Sequence, residues 1–137
     1  VIHLNPLQEA LQPEGTPRFK GGFRALEKLC RELSTPVVVK ETGCGFSEST
    51  LRRLKETGVR AVDVSGLGGT HWGRIEGQRS SSDQILAQAS KTFANWGVST
   101  VESMVHAAAV QPNYDIWASG GVRSGLDAAR LIAMGAR

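Results

Sequence analysis

Strand-like apolar runs alternate along this chain with segments of helical periodicity, and that alternation restricts the fold more than any other feature. The runs Val1 to Leu4, Val37 to Val39, Val59 to Val64 and Tyr114 to Ala118 are rich in β-branched or aromatic residues, and a polar or glycine-rich turn follows each. Between them Phe23, Leu26, Leu29 and Leu33 recur at near-helical spacing, followed by Leu51 with Leu54, and later by Leu126, Ala129, Ile132 and Ala133. Strands joined through helices run parallel, because a parallel pair needs a long crossover connection.

Two parallel architectures meet this requirement, an open doubly wound sheet and a closed barrel. An open sheet gathers its site at one topological switch point, whereas here chemistry-capable residues follow every strand, which favours the barrel. The fold class expected is therefore α/β, a TIM (β/α)8 barrel. Residues 1–137 supply about four βα units of it as one partial domain, since a whole barrel takes about 250 residues. The start at Val1, without an initiator Met and directly into an apolar stretch, reads as a segment cut from something longer. Half a barrel leaves two strand edges to be covered by further sequence, a second chain or another copy, so the chain alone is expected to be unstable.

Local signals agree with these elements. Ser99-Thr100-Val101-Glu102 fits a capping box, Ser47 and Glu48 suit a helix start, and Gly58 and Gly135 suit helix ends. Two stretches break the rhythm and are expected to be loops: Gln12 to Gly22, with its prolines and glycines, and Gly66 to Ser82, rich in glycine and serine around Trp72.

Composition removes several classes of function. No apolar run approaches the roughly 20 residues that cross a bilayer, so no membrane role is expected. The 16 basic and 13 acidic side chains leave a charge of +3, but only Arg52-Arg53 are adjacent, and no stripe for nucleic acid is visible. Small anions stay open as partners. Cys30 and Cys44 have neither zinc spacing nor disulfide density, which fits a reducing cytoplasm.

The strand ends carry the chemistry. Gly120-Gly121-Val122-Arg123-Ser124-Gly125 follows a strand and opens a helix, so its backbone N–H groups, the helix N-terminus and Arg123 together make a phosphate site. Lys40 ends another strand, where an ammonium either neutralises a bound anionic cofactor or forms a Schiff base. In His3-Leu4-Asn5-Pro6-Leu7-Gln8-Glu9, alternation points His3 and Asn5 the same way and a proline turn brings Gln8 and Glu9 over the strand ends. A carboxylate there suits Mg²⁺, which combines one or two carboxylates with phosphate oxygens and water. Ser65-Gly66-Leu67-Gly68-Gly69-Thr70 allows close approach to a flat or anionic ligand, with Thr70 supplying a hydroxyl. His71 is read as a surface residue and Trp72 as packing.

Taken in order, the His3 to Glu9 run with Gln12-Pro13-Glu14-Gly15, then Val39-Lys40-Glu41, Gly68-Gly69-Thr70 with Trp72, Trp96-Gly97, and Ala118 to Gly125 resemble the signature of the type 2 isopentenyl-diphosphate isomerases. The resemblance implies an FMN-dependent enzyme that interconverts isopentenyl and dimethylallyl diphosphate in isoprenoid biosynthesis. It also implies Mg²⁺, NADPH as the reductant of the flavin, and a homo-oligomer, a tetramer or octamer. By the same resemblance, Gln8 contacts substrate, Glu9 ligates Mg²⁺, and His3 and Asn5 line the site. Lys40, Ser65, Thr70 and the turn Gly120, Gly121, Val122 and Arg123 hold FMN.

Thr16 and Asn95 depart from that signature, which carries acidic residues at both places, and neither is expected to touch the chemistry. The N-terminal Arg-Lys diphosphate contacts, early flavin-binding strands and final strand of such enzymes are not in this chain, so alone it is expected to be inactive. Two other readings are an FMN-dependent 2-hydroxyacid oxidase or dehydrogenase, although its His-Gly-x-Arg segment is absent, and a barrel fragment without catalysis.

Overall fold

The computed structural model describes residues 1–80 and 83–137. Its elements run β1 (Ile2–His3), α1 (Pro6–Leu11), α2 (Gly22–Glu32), β2 (Val38–Lys40), α3 (Glu48–Leu54), β3 (Ala61–Asp63), α4 (Trp72–Arg79), α5 (Gln84–Thr92), α6 (Thr100–Val110), β4 (Asp115–Trp117) and α7 (Gly125–Ala133). The strands form one sheet in the order β1-β2-β3-β4, and every neighbouring pair is parallel. Chain order and spatial order coincide, so no switch point occurs among these strands, which is how an arc of a barrel is laid out.

Register assigns the two faces of the sheet. Ile2, Val39, Val62 and Ile116 stand in one row across the strands. Val39 and Val62 are fully buried there, against Leu26, Leu51, Leu54, Met104, Ala107, Val110 and Leu131 from the helices. Burying one such side chain contributes roughly 1.5–3 kcal/mol. The next row, His3, Lys40, Asp63 and Trp117, points to the opposite face, because successive side chains alternate. That row is polar apart from Trp117 and sits at the C-terminal ends of the strands.

The helix starts follow their capping residues. Ser47 accepts from the Thr50 N–H at α3, Ser99 from the Glu102 N–H at α6, and Ser124 from the Asp127 N–H at α7. Gly58 and Gly135 take positive φ beyond the ends of α3 and α7, as expected.

Four expectations need correction. Pro6 does not make a turn: it is the first residue of α1, capped by Asn5, because proline lacks the N–H that a first helical position leaves unpaired. The stretch Gly66 to Ser82 is not a loop throughout, since residues Trp72–Arg79 are helical and Ser81 and Ser82 lie outside the described residues. Its glycines serve close helix packing: a Cβ on Gly73 would lie 3.0 Å from the Leu7 side chain, and one on Gly77 would collide with Ser90. A further helix, α5, packs on α4 where no helix was expected. In α7 the apolar residues Leu126 and Ile132 face outward, and Leu131 is the one buried. No helix among the described residues is long and apolar enough to cross a membrane.

Candidate functional site

The polar row at the strand ends is the floor of the candidate site, and the segments following the strands build upward from it. After β1, Asn5 leaves the strand line and becomes fully buried, whereas His3 is exposed. The expectation that the two point alike is therefore corrected, because the chain turns into α1 at Asn5. The Asn5 side-chain oxygen accepts from the Gln8 N–H at 2.8 Å. Its amide nitrogen donates to Glu41 Oε2 at 3.2 Å and Thr42 Oγ1 at 2.9 Å. The Thr42 hydroxyl lies 2.8 Å from Gln8 Oε1, so Asn5, Glu41, Thr42 and Gln8 form one network.

Glu41 is buried, at 2% exposure, with Oε2 accepting also from the N–H groups of Thr42 (2.7 Å) and Cys44 (2.6 Å). Burial pushes its carboxyl up to about 7, and these N–H bonds pull the other way without overcoming it. Lys40 donates to the Glu41 backbone carbonyl at 2.6 Å, which holds its ammonium at the end of β2 as expected. The sequence marks Glu41 only as the neighbour of Lys40, and the signal it offers there is a carboxylate directly after a buried strand.

Glu9 sits one turn into α1. His3 Nε2 lies 3.1 Å from its Oε1, while its Oε2 accepts from the Thr16 N–H at 2.8 Å and the Thr16 hydroxyl at 3.3 Å. An ionised carboxylate only accepts, so His3 carries its proton on Nε2. The Thr16 N–H, and then His3, hold the Glu9 carboxyl below its usual range. Thr16, expected to stand clear of the chemistry, thus contacts the proposed metal ligand directly. Among the described residues no group of three or more His, Cys, Asp or Glu is arranged for a metal. Glu9 suits one carboxylate position on Mg²⁺, with phosphate and water as the others.

The glycine segments after β3 and β4 pack on each other backbone to backbone. A Cβ on Gly69 would lie 2.6 Å from the Gly121 nitrogen, and one on Gly120 2.3 Å from the Gly66 oxygen. Gly120 and Gly121 also have φ of 96° and 76°, open to glycine at no steric cost. Thr100 Oγ1 donates to the Gly120 carbonyl at 2.6 Å, and Arg123 donates to the Gly68 carbonyl at 2.9 Å. Arg123 therefore braces the two segments. The N–H of Arg123 goes to Asp127, whereas no described residue accepts from the N–H groups of Gly121 or Val122. Those free donors beside the start of α7 fit a phosphate group.

Ser65 is buried with φ of 34°, a strained backbone for a non-glycine residue, and its carbonyl accepts from the N–H groups of Gly43 and Gly45. Thr70 is exposed, with its backbone against Gly43. Sequence reasoning missed Asp63, whose Oδ1 accepts from the N–H groups of Ser65 and Ser119 and from the Ser119 hydroxyl. It ties the ends of β3 and β4, and its acid type inside an apolar run was the available signal.

His71 is not a surface residue. It is buried at 4% exposure, its Nδ1 accepts from the Arg74 N–H at 3.2 Å, and its Nε2 lies 3.1 Å from the Trp96 carbonyl and 3.6 Å from Cys44 Sγ. Burial pushes the Cys44 thiol up to about 11, away from the low range of a reactive thiolate. Asn95 accepts from Arg74, away from the strand ends.

The fold and the site define a parallel α/β protein whose polar groups and glycine turns gather at the carboxyl ends of its strands. Residues 9–137 match the FMN-dependent dehydrogenase family, and the chain belongs to that family. It is 57% identical over 136 residues to the isopentenyl-diphosphate delta-isomerase of Legionella pneumophila (strain Corby), covering 99% of this chain and 40% of that protein. The protein of the same name from Bdellovibrio bacteriovorus is 58% identical over 135 residues, 98% of this chain and 39% of that protein. That from Pseudescherichia vulneris is 45% identical over 136 residues, 99% and 39%. The chain thus spans 40% or slightly less of the length of these relatives.

Proposed function

We propose that this chain forms one side of the active site of an FMN-dependent isopentenyl-diphosphate delta-isomerase built on a (β/α)8 barrel. The observation that carries the reading is the identity of more than half of all positions, across nearly the whole chain, with proteins of that name. In support, the motifs that resemble the isomerase signature follow the ends of neighbouring parallel strands: Asn5, Gln8 and Glu9 after β1, Lys40 at the end of β2 and the Gly120 turn after β4.

In this reading the free N–H groups of Gly121 and Val122 take the FMN phosphate at the start of α7. Lys40 places its ammonium where negative charge on the flavin ring is stabilised, while Ser65, Thr70, Gly120 and Arg123 shape the remaining contacts. Glu9, ionised and oriented by Thr16 and His3, offers the carboxylate for Mg²⁺ on the diphosphate. Gln8 and His3 contact the substrate, and Asn5 holds Gln8. Reduced FMN, when bound, supplies the acid and base that shift a proton across the allylic unit, without net redox change. NADPH as reductant, a homo-oligomeric assembly and a cytoplasmic setting complete the proposal.

The test uses the full-length protein, reduced anaerobically with FMN and Mg²⁺ and supplied with isopentenyl diphosphate. Dimethylallyl diphosphate is the expected product, and its formation stops when FMN is removed. The family match, to FMN-dependent dehydrogenases, supports one second reading, a flavin-dependent dehydrogenase, which we take in the form of a 2-hydroxyacid oxidase or dehydrogenase. Flavin reduction by such an acid, with no product from isopentenyl diphosphate, would replace the isomerase by that enzyme.

A further inference from the structure

The hydrogen bonds around Gln8 form a closed circuit in which every donor and acceptor is determined. The Gln8 backbone N–H can only donate, so the Asn5 atom 2.8 Å away is the carbonyl oxygen, and Asn5 must turn its NH2 group to the other side. There it donates to Glu41 Oε2 and to Thr42 Oγ1. Thr42 Oγ1, already accepting, has a single proton left to give, and among the described residues its further partner is the Gln8 side chain at 2.8 Å. Gln8 therefore accepts through Oε1, and its NH2 group is turned away from the circuit. No described residue accepts from that NH2 group.

We propose that Thr42 is a positioning residue that sets the Gln8 amide so that its NH2 group, and not its carbonyl oxygen, faces the ligand. The proposal rests on the reading above that Gln8 contacts the substrate, and it adds which atom does so and what holds it. Isopentenyl diphosphate has a hydrocarbon part without acceptors, so the partner of the Gln8 NH2 group is a phosphate oxygen. Asn5 and Glu41 stand behind Thr42 and keep its hydroxyl pointing at Gln8. An amide left to itself presents either end, and half of its orientations would aim an oxygen at an anion. The circuit removes that ambiguity through the Thr42 hydroxyl and the Asn5 amide, and the groups that touch Gln8 themselves carry no charge.

Affinity of the full-length protein for isopentenyl diphosphate with Mg²⁺, measured by calorimetry, tests this independently of turnover. Gln8→Ala is expected to weaken binding about tenfold, the scale of one hydrogen bond to a charged group. Thr42→Val removes the hydroxyl at nearly constant shape and is expected to weaken binding several-fold, while Thr42→Ser keeps the hydroxyl and restores it. In the Gln8→Ala background, Thr42→Val is expected to cost nothing further, because the residue it orients is gone. Gln8→Glu gives a readout that leaves Thr42 in place. Its hydroxyl contact survives, but an oxygen now faces the phosphate, and binding is expected to fall below that of Gln8→Ala. If Gln8→Ala binds normally, the substrate role of Gln8 fails and takes the proposal with it. If Gln8→Ala weakens binding but Thr42→Val does not, or if Gln8→Glu binds like the parent protein, the substrate role stands and the positioning role is overturned.

Discussion

Glu41 titrates in the range where many proteins are handled, because burial raises its carboxyl to about 7. In the unfolded chain the group ionises near its ordinary value, so between about pH 4.5 and 7 the folded form holds a proton that the unfolded form has released. Stability therefore falls as pH rises through that window and levels off above it. Glu41→Gln keeps an acceptor for the Thr42 and Cys44 N–H groups and is expected to flatten this slope, read as melting temperature against pH. An unchanged slope would remove Glu41 as its source. Glu9 is a different case, since Thr16 and His3 favour its ionised form. Glu9→Gln in the full-length protein is expected to raise the Mg²⁺ concentration needed for half-maximal activity at least tenfold, whereas an unchanged metal dependence would free Glu9 from its assigned role. At this scale the polar residues after the strands were legible as a set, but their environments were not. Asn5, Glu41 and His71 are buried by chain segments remote in sequence, and only the folded structure shows that Thr16 closes on Glu9.

Elements were legible where periodicity and capping agreed. Ser47, Ser99 and Ser124 all cap the helices expected or hinted at by their neighbours, and each expected strand contains one observed strand or most of it. Helix α4 was not legible, because Gly73 and Gly77 read as loop residues while their role is to let Leu7 and Ser90 approach. The glycines of the two strand-end segments carry a similar load. A methyl group at Gly121 would meet the Gly68 carbonyl carbon and oxygen at 2.7 Å, and its φ is 76°. Gly121→Ala is expected to cost about 1–3 kcal/mol from backbone conformation, with a further cost from the clash. In the full-length protein it should lower both the melting temperature and the fraction of FMN retained through gel filtration. Full retention at normal stability would show that the close approach of the two turns is dispensable.

On the scale of the whole molecule, strand order and polar-row register agree with one arc of a barrel. Alternation alone left a barrel and a doubly wound sheet open, and the sequential parallel order is the arrangement a barrel arc requires. Strands β1 and β4 end the sheet with unpaired edges. On the helix side Val101, Val105, Leu126 and Ile132 are more than half exposed. Such edges and apolar faces favour association, so the chain expressed alone is expected to show an apparent mass that rises with concentration in sedimentation. Hydrogen exchange should be slowest in β2 and β3; a concentration-independent monomer with equally protected β1 and β4 would contradict this. The same incompleteness places the decisive measurement on the full-length protein. With FMN, Mg²⁺ and a reductant in D2O, isopentenyl diphosphate should yield dimethylallyl diphosphate carrying solvent deuterium in a methyl group, because a proton is added at one end of the allylic unit and lost at the other. Product without deuterium, or no product under any reducing condition, would contradict the isomerase account.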